Sequence, residues 1–122
     1  GSKWLIADAK KHDESVSLIS HLPILVSAAL LISIEKYKNS NIYDLSRNLA
    51  STGFADTTRI GGGNPELGTS ITSHNTKAIL NSLSNFRLSL EELESTIRHG
   101  KWSDLYEQLE LSKLIRAEFI DP

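Results

Sequence analysis

The sequence predicts an all-α fold, and three observations carry that prediction. Apolar residues recur by threes and fours along most of the chain. One run, Leu22–Ile34, is apolar nearly all round, interrupted only by Ser27 and Ser33. Asn64-Pro65-Glu66 is a strong helix start, with an N-cap, proline at the first helical position and an acid beside it. The length of 122 residues suits one domain. Hydrophobic content of 39% and charged content of 23% are ordinary for a soluble globule. A formal charge of −2 gives no electrostatic reason to expect nucleic acid or an anionic membrane as partner. With no cysteine, disulfides and thiolate metal sites are excluded, and the composition suits a reducing cytosol.

Taken in order, Lys3-Trp4-Leu5-Ile6-Ala7 is a short apolar run without a partner strand. A lone strand cannot satisfy its backbone, so it is expected to be the trailing end of an upstream domain. No methionine begins the chain. Residues 1–8 are therefore expected to be a domain remnant or a tag, and residues 9–122 a helical domain. From about Ala9 the pattern is helical, with Val16, Ile19 and Leu22 at helical spacing and Asp13 and Glu14 near the start. Leu22–Ile34 is too short for a membrane span of about 20 residues. A helix apolar on every side is instead buried on every side, so this one is expected to be the central core helix, opened and kinked by Pro23.

Asn41 is a good N-cap for a short helix from Ile42 to about Ala50. A polar, glycine-rich loop follows, Gly53-Phe54-Ala55-Asp56-Thr57-Thr58-Arg59-Ile60-Gly61-Gly62-Gly63. After Pro65 an apolar stripe runs through Ile71, Ile79, Leu83, Phe86, Leu90, Leu93 and Ile97, and Gly100 is a natural stop. A break at Ser89 would fit a capping box with Glu92, but the stripe does not slip there, and one helix over 65–99 is expected. At 1.5 Å per residue it would be about 52 Å long, against a diameter of about 35 Å for a compact domain of this size. It would overhang its own globule, which argues for a second chain. Ser103 is expected to cap a last helix.

The chemistry centres on Arg59. Its guanidinium is a rigid fork of donors that fits a carboxylate bidentately. Among Thr57, Thr58 and glycines that admit close backbone, it looks like an anion seat. The alternative is a tight helix connection in which Arg59 pairs with Asp56 three residues back. Ser20-His21 is not a catalytic pair, because helical neighbours point about 100° apart and no acid orients the imidazole. His21 alone, at the head of an apolar helix, reads as a structural hydrogen-bonder. His12, Asp13 and His21 lack metal-site spacing, and no metal is expected. His74 and His99 read as solvated. Gly61-Gly62-Gly63 has no preceding strand and is not a dinucleotide loop.

Gly53-Phe54-x-Asp56-x-Thr58-Arg59-Ile60, followed by Asn64-Pro65, resembles the C-terminal helical domain of prephenate and arogenate dehydrogenases. His12-Asp13 and Ser20-His21-Leu22-Pro23 match that family's other motifs here, in order and at a fitting distance. The resemblance implies an intertwined helical dimerisation domain with one long helix. The parent enzyme would oxidise and decarboxylate prephenate or arogenate with NAD or NADP in tyrosine biosynthesis, as a cytoplasmic homodimer. The cofactor and catalytic histidine would belong to an N-terminal domain, leaving this fragment inactive alone. By the same resemblance Arg59 would bind the ring carboxylate, and His21 would face the substrate side chain. Asp56 would lie near the neighbouring subunit's site, with Thr58 and Gly53 in the same substrate-binding motif. His12 and Asp13 would fall where the two domains meet. Two departures stand out. Ser51-Thr52 replace further glycines before Gly53, and Leu67-Gly68-Thr69 stand where many members carry a tryptophan. The Gly61-to-Gly68 version resembles the arogenate-preferring, NADP-using branch. The rival reading is a non-enzymatic helical dimerisation or small-anion-sensing module.

Overall fold

Residues 8–120 are described in a computed structural model. Among them every regular element is helical. The short apolar run 3–7 lies outside the described residues. The helices are α1 (Ala9–Val16), α2 (Leu22–Ile34), α3 (Asn41–Leu49), α4 (Thr52–Thr58), α5 (Pro65–His74), α6 (Thr76–Arg98) and α7 (Trp102–Ile120). A π-helical turn, Ser17–His21, joins α1 to α2, and a 3₁₀ turn, Glu35–Tyr37, ends α2. The chain divides into two compact units between Ser82 and Leu83.

In the first unit, Asp8 caps α1 by accepting the Lys11 amide at 2.8 Å. The π turn sits where Ser17, wholly buried, meets α6. Its hydroxyl donates to the Ala78 carbonyl at 3.1 Å and bonds the Ser82 hydroxyl. Two facing serines let two helices approach closely while satisfying each other, and a π bulge absorbs the register. The predicted kink near Pro23 is this turn: the helix passes through it into α2, and the π turn lies where the proline's missing N–H interrupts the ladder. Helix runs unbroken from Ala9 to Tyr37, 29 residues, so by length and composition the segment could cross a membrane. The 13-residue apolar run alone had excluded this; the helical turns on both sides remove the exclusion.

Four boundaries differ from expectation. Ser40, not Asn41, caps α3, its hydroxyl accepting the Tyr43 amide at 3.2 Å. Gly53 to Thr58 is helix rather than loop, and within it the Thr57 and Thr58 hydroxyls bond the carbonyls four residues back. Ser103 lies inside the first turn of α7, which begins at Trp102. The helix expected over 65–99 is broken at Asn75, where φ is −136° and ψ 35°, leaving α6 as the long helix of 23 residues. Asn75 ends α5 by donating to the Thr72 carbonyl at 3.3 Å and opens α6 by accepting from the Ile79 amide at 3.1 Å. No break occurs at Ser89. A 23-residue helix is about 35 Å long, so the overhang argument for a second chain lapses.

A different observation replaces it. Ile79, 1% exposed, is the fully buried hydrophobic residue among those described, whereas Ile32 is 68% exposed, Leu49 71% and Tyr106 70%. Helix α2 buries only Ser27, not its whole apolar surface as expected for a core helix. A chain of this length ordinarily buries about two-thirds of its surface around a core of its own. Here the apolar faces stand uncovered.

In the second unit, the Lys101 amide bonds the Thr96 carbonyl and the Gly100 amide bonds the Ile97 carbonyl, both at 3.0 Å. This is a Schellman cap, and Gly100 takes the left-handed φ of 63° that it requires. Helix α7 then exposes Trp102, Leu109, Leu114 and Phe119 along its length.

Candidate functional site

The site is built on α2 and α4. Ser27, the one buried residue of α2, holds the end of α4 and the loop after it. Its hydroxyl donates to the Thr57 carbonyl at 2.8 Å and accepts the Gly61 amide at 2.9 Å. Gly61 lies so close that a Cβ there would stand 2.5 Å from the Ala28 nitrogen and 2.5 Å from the Ser27 carbonyl carbon. Only glycine fits such an approach. These bonds bracket Arg59, which caps the C-terminal end of α4 and is exposed.

Arg59 forms no ion pair with Asp56. The ion pairs among the described residues are Lys10–Glu14, Glu35–Lys38 and Glu94–Arg98, and His12 Nδ1 lies 3.4 Å from Asp13 Oδ1. Asp56 and Arg59 are both exposed, so the tight-connection alternative lacks its bond within one chain. Thr58 is buried and donates to the Phe54 carbonyl at 2.6 Å, while Thr57 donates to the Gly53 carbonyl at 2.8 Å. Both hydroxyl hydrogens thus serve the helix, and the guanidinium is what this segment offers an anion. Gly53 is exposed on α4 with open space beside it.

His21 ends the π turn, half-buried, with Nδ1 3.3 Å from the Asn75 amide nitrogen. That amide also donates to the Asp13 carbonyl at 2.9 Å. Through this amide His21 is tied to the break between α5 and α6. His12 and Asp13 are exposed, with Nδ1 3.4 Å from Oδ1. His74 at the end of α5 and His99 just past α6 are exposed, each bonding the carbonyl four residues back.

Two clefts open on this unit. One of about 710 Å³ lies among Leu31, Ile34, Tyr37, Ile42, Leu49 and Phe54. The other, about 500 Å³, is walled by Ile24, Leu25, Ile60, Gly61, Pro65 and Thr72. Neither is lined by Arg59, His21 or Asp56. Gly61-Gly62-Gly63 joins α4 to α5, and Gly61 faces α2. The strand–loop–helix that seats a dinucleotide pyrophosphate is not formed by the described residues, and Gly61 serves packing.

Sequence reasoning missed Ser27 and Asn75. Ser27 had a signal: a small polar residue inside an otherwise apolar helix needs a partner when buried. Asn75 had one too, because asparagine followed by threonine suits a cap better than a helix interior.

An all-helical domain whose apolar faces stand uncovered is the kind of domain that assembles with a second copy. The chain belongs to the prephenate dehydrogenase dimerization-domain family, whose model matches residues 8–111. It is 32% identical over 92 residues to a prephenate dehydrogenase of Lactococcus lactis subsp. cremoris, covering 75% of this chain and 25% of the relative. The Synechocystis arogenate dehydrogenase structure superposes with a TM-score of 0.95 at 41% identity, covering 98% of this chain and 43% of that one. A prephenate dehydrogenase from A. aeolicus, solved with hydroxyphenyl propionate and NAD+, gives 0.78 at 28% identity, covering 89% and 37%. The chain thus spans about a quarter of the length of the Lactococcus relative.

Proposed function

We propose that this chain is the dimerisation and substrate-binding domain of an NAD(P)-dependent arogenate or prephenate dehydrogenase acting in the cytoplasm. The observation that carries the reading is Arg59: exposed, without an ion-pair partner among the described residues, and bracketed by backbone pinned to α2. Arg47, Arg87 and Arg116 are likewise exposed and outside the ion pairs among the described residues; what sets Arg59 apart is the backbone pinned on both sides of it, which fixes where its fork of donors starts. Its ligand in this reading is the ring carboxylate of the substrate. Thr58 and Gly53 contribute through the helix that carries Arg59, and Asp56 belongs beside the second copy's Arg59. His21 faces the substrate side chain, and His12 and Asp13 face the nucleotide domain. The nicotinamide is held by that domain, and this chain's residues bind and orient the substrate.

The likeness to the Synechocystis arogenate dehydrogenase favours arogenate as substrate; NADP as cofactor rests on the resemblance of the Gly61-to-Gly68 segment alone, and the A. aeolicus relative was solved with NAD+. Dimerisation covers the apolar faces of α2 and α7 that one chain leaves exposed, and this argues against a membrane role for the Ala9–Tyr37 run. Steady-state kinetics of the parent enzyme with arogenate and prephenate, each with NAD and NADP, test the assignment. Turnover of neither acid would overturn it.

A further inference from the structure

The break between α5 and α6 has a chemical consequence. Asn75 stands there with its side-chain amide between two groups of the first helical run. Its nitrogen donates to the Asp13 carbonyl at 2.9 Å and lies 3.3 Å from His21 Nδ1. An amide nitrogen only donates, and a main-chain carbonyl oxygen only accepts. The Asp13 carbonyl therefore fixes which way round the amide sits: reversed, two oxygens would face each other at 2.9 Å. With the nitrogen so fixed, the Nδ1 it meets must accept. That nitrogen carries no hydrogen, and the neutral ring holds its proton on Nε2.

We propose that Asn75 is a positioning residue that locks His21 as the Nε2–H tautomer, so that His21 meets the substrate as a hydrogen-bond donor. The substrate half of this rests on the reading of His21 given above; the tautomer half rests on geometry alone. The Asp13 carbonyl belongs to α1, His21 to the π turn and Asn75 to the helix break, so one amide holds three elements in register. A donor at Nε2 selects an acceptor on the substrate, such as a carboxylate or carbonyl oxygen, over an ammonium at the same place. The lock is thus a device for reading the acceptor end of the substrate side chain.

The test uses the full-length enzyme labelled with ¹⁵N-histidine, the His21 signals being assigned by their loss in His21→Ala. The wild type should show the Nε2–H form. Asn75→Asp puts an acceptor opposite Nδ1 and, at a pH where the ring is neutral, should move the proton there and leave Nε2 without a hydrogen. Its KM should rise about tenfold with little change in kcat, the size expected for one lost hydrogen bond to a polar ligand. Adding Asn75→Asp to His21→Ala should cost nothing further in KM. Should Asn75→Asp fold poorly, Asn75→Ala removes the lock without the new acceptor and should show mixed tautomers. An Nδ1–H signal in the wild type would overturn the proposal. So would a tautomer change in Asn75→Asp that leaves KM untouched while His21→Ala raises it. A wild-type KM for His21→Ala would instead sink the substrate role of His21, and the NMR tautomer would be judged separately.

Discussion

The amide of Gly61 donates to the hydroxyl of Ser27 at 2.9 Å, and a Cβ on Gly61 would fall 2.5 Å from that same oxygen. The contact is therefore both a hydrogen bond and a steric limit. It fixes where the loop after α4 meets α2, and with it the backbone on either side of Arg59.

Gly61→Ala should destabilise the fold by about 2 kcal/mol or more, since the new methyl meets rigid helix backbone. Gly53→Ala is the control. Nothing stands within 4 Å of its Cβ position and the residue is helical, so alanine should add about 0.5–1 kcal/mol. Urea denaturation of both variants reads the difference. If Gly53 borders the substrate, its alanine variant should be more stable yet raise KM.

Ser27→Ala removes the partner of both the Gly61 amide and the Thr57 carbonyl. With two polar groups left half-buried, the cost should be about 1–3 kcal/mol by denaturant titration. The same variant should raise KM in the parent enzyme, because the backbone around Arg59 loses its anchor. A loss of stability with unchanged kinetics would reduce Ser27 to a packing role.

Much of this was legible in the sequence. The span of α2, the Asn64 cap and the Gly100 stop follow from local signals that act within a few residues. What was missed depends on distant partners. Asn75 carries a local cap signal, but its bonds to Asp13 and His21, 62 and 54 residues away in sequence, are revealed by no local stripe. Helix at Gly53–Thr58 departs from a glycine-based loop expectation, and its end is held by Ser27, 30 residues away in sequence from Thr57. Arg59 was legible by its type and its company, but its lack of an Asp56 partner is a matter of geometry. The need for a second chain was inferred from a helix length that did not hold, and stands on exposed apolar surface instead.

That surface predicts a dimer. Light scattering of this chain at micromolar concentration should give twice its 13.5 kDa. Ile32→Glu places a charge on the uncovered face of α2, where a single chain would tolerate it because the residue is 68% exposed. In a dimer that covers this face, an unpaired buried charge costs several kcal/mol, so the variant should shift the mass toward the monomer. A clean monomer for the unsubstituted chain would contradict the account of α2 and α7.

The central claim is that Arg59 binds the substrate carboxylate, and the direct measurement is the kinetics of Arg59→Ala in the parent enzyme beside a thermal melt of the same preparation. A bidentate charge-assisted pair is worth roughly 2–4 kcal/mol, so kcat/KM should fall about 30- to 1000-fold. The loss should appear mainly in KM, with an unchanged melting temperature, since no ion pair within the chain is removed. Arg59→Lys should recover part of it by restoring the charge without the fork. A wild-type KM together with a lowered melting temperature would contradict the account and return Arg59 to a structural role in its loop.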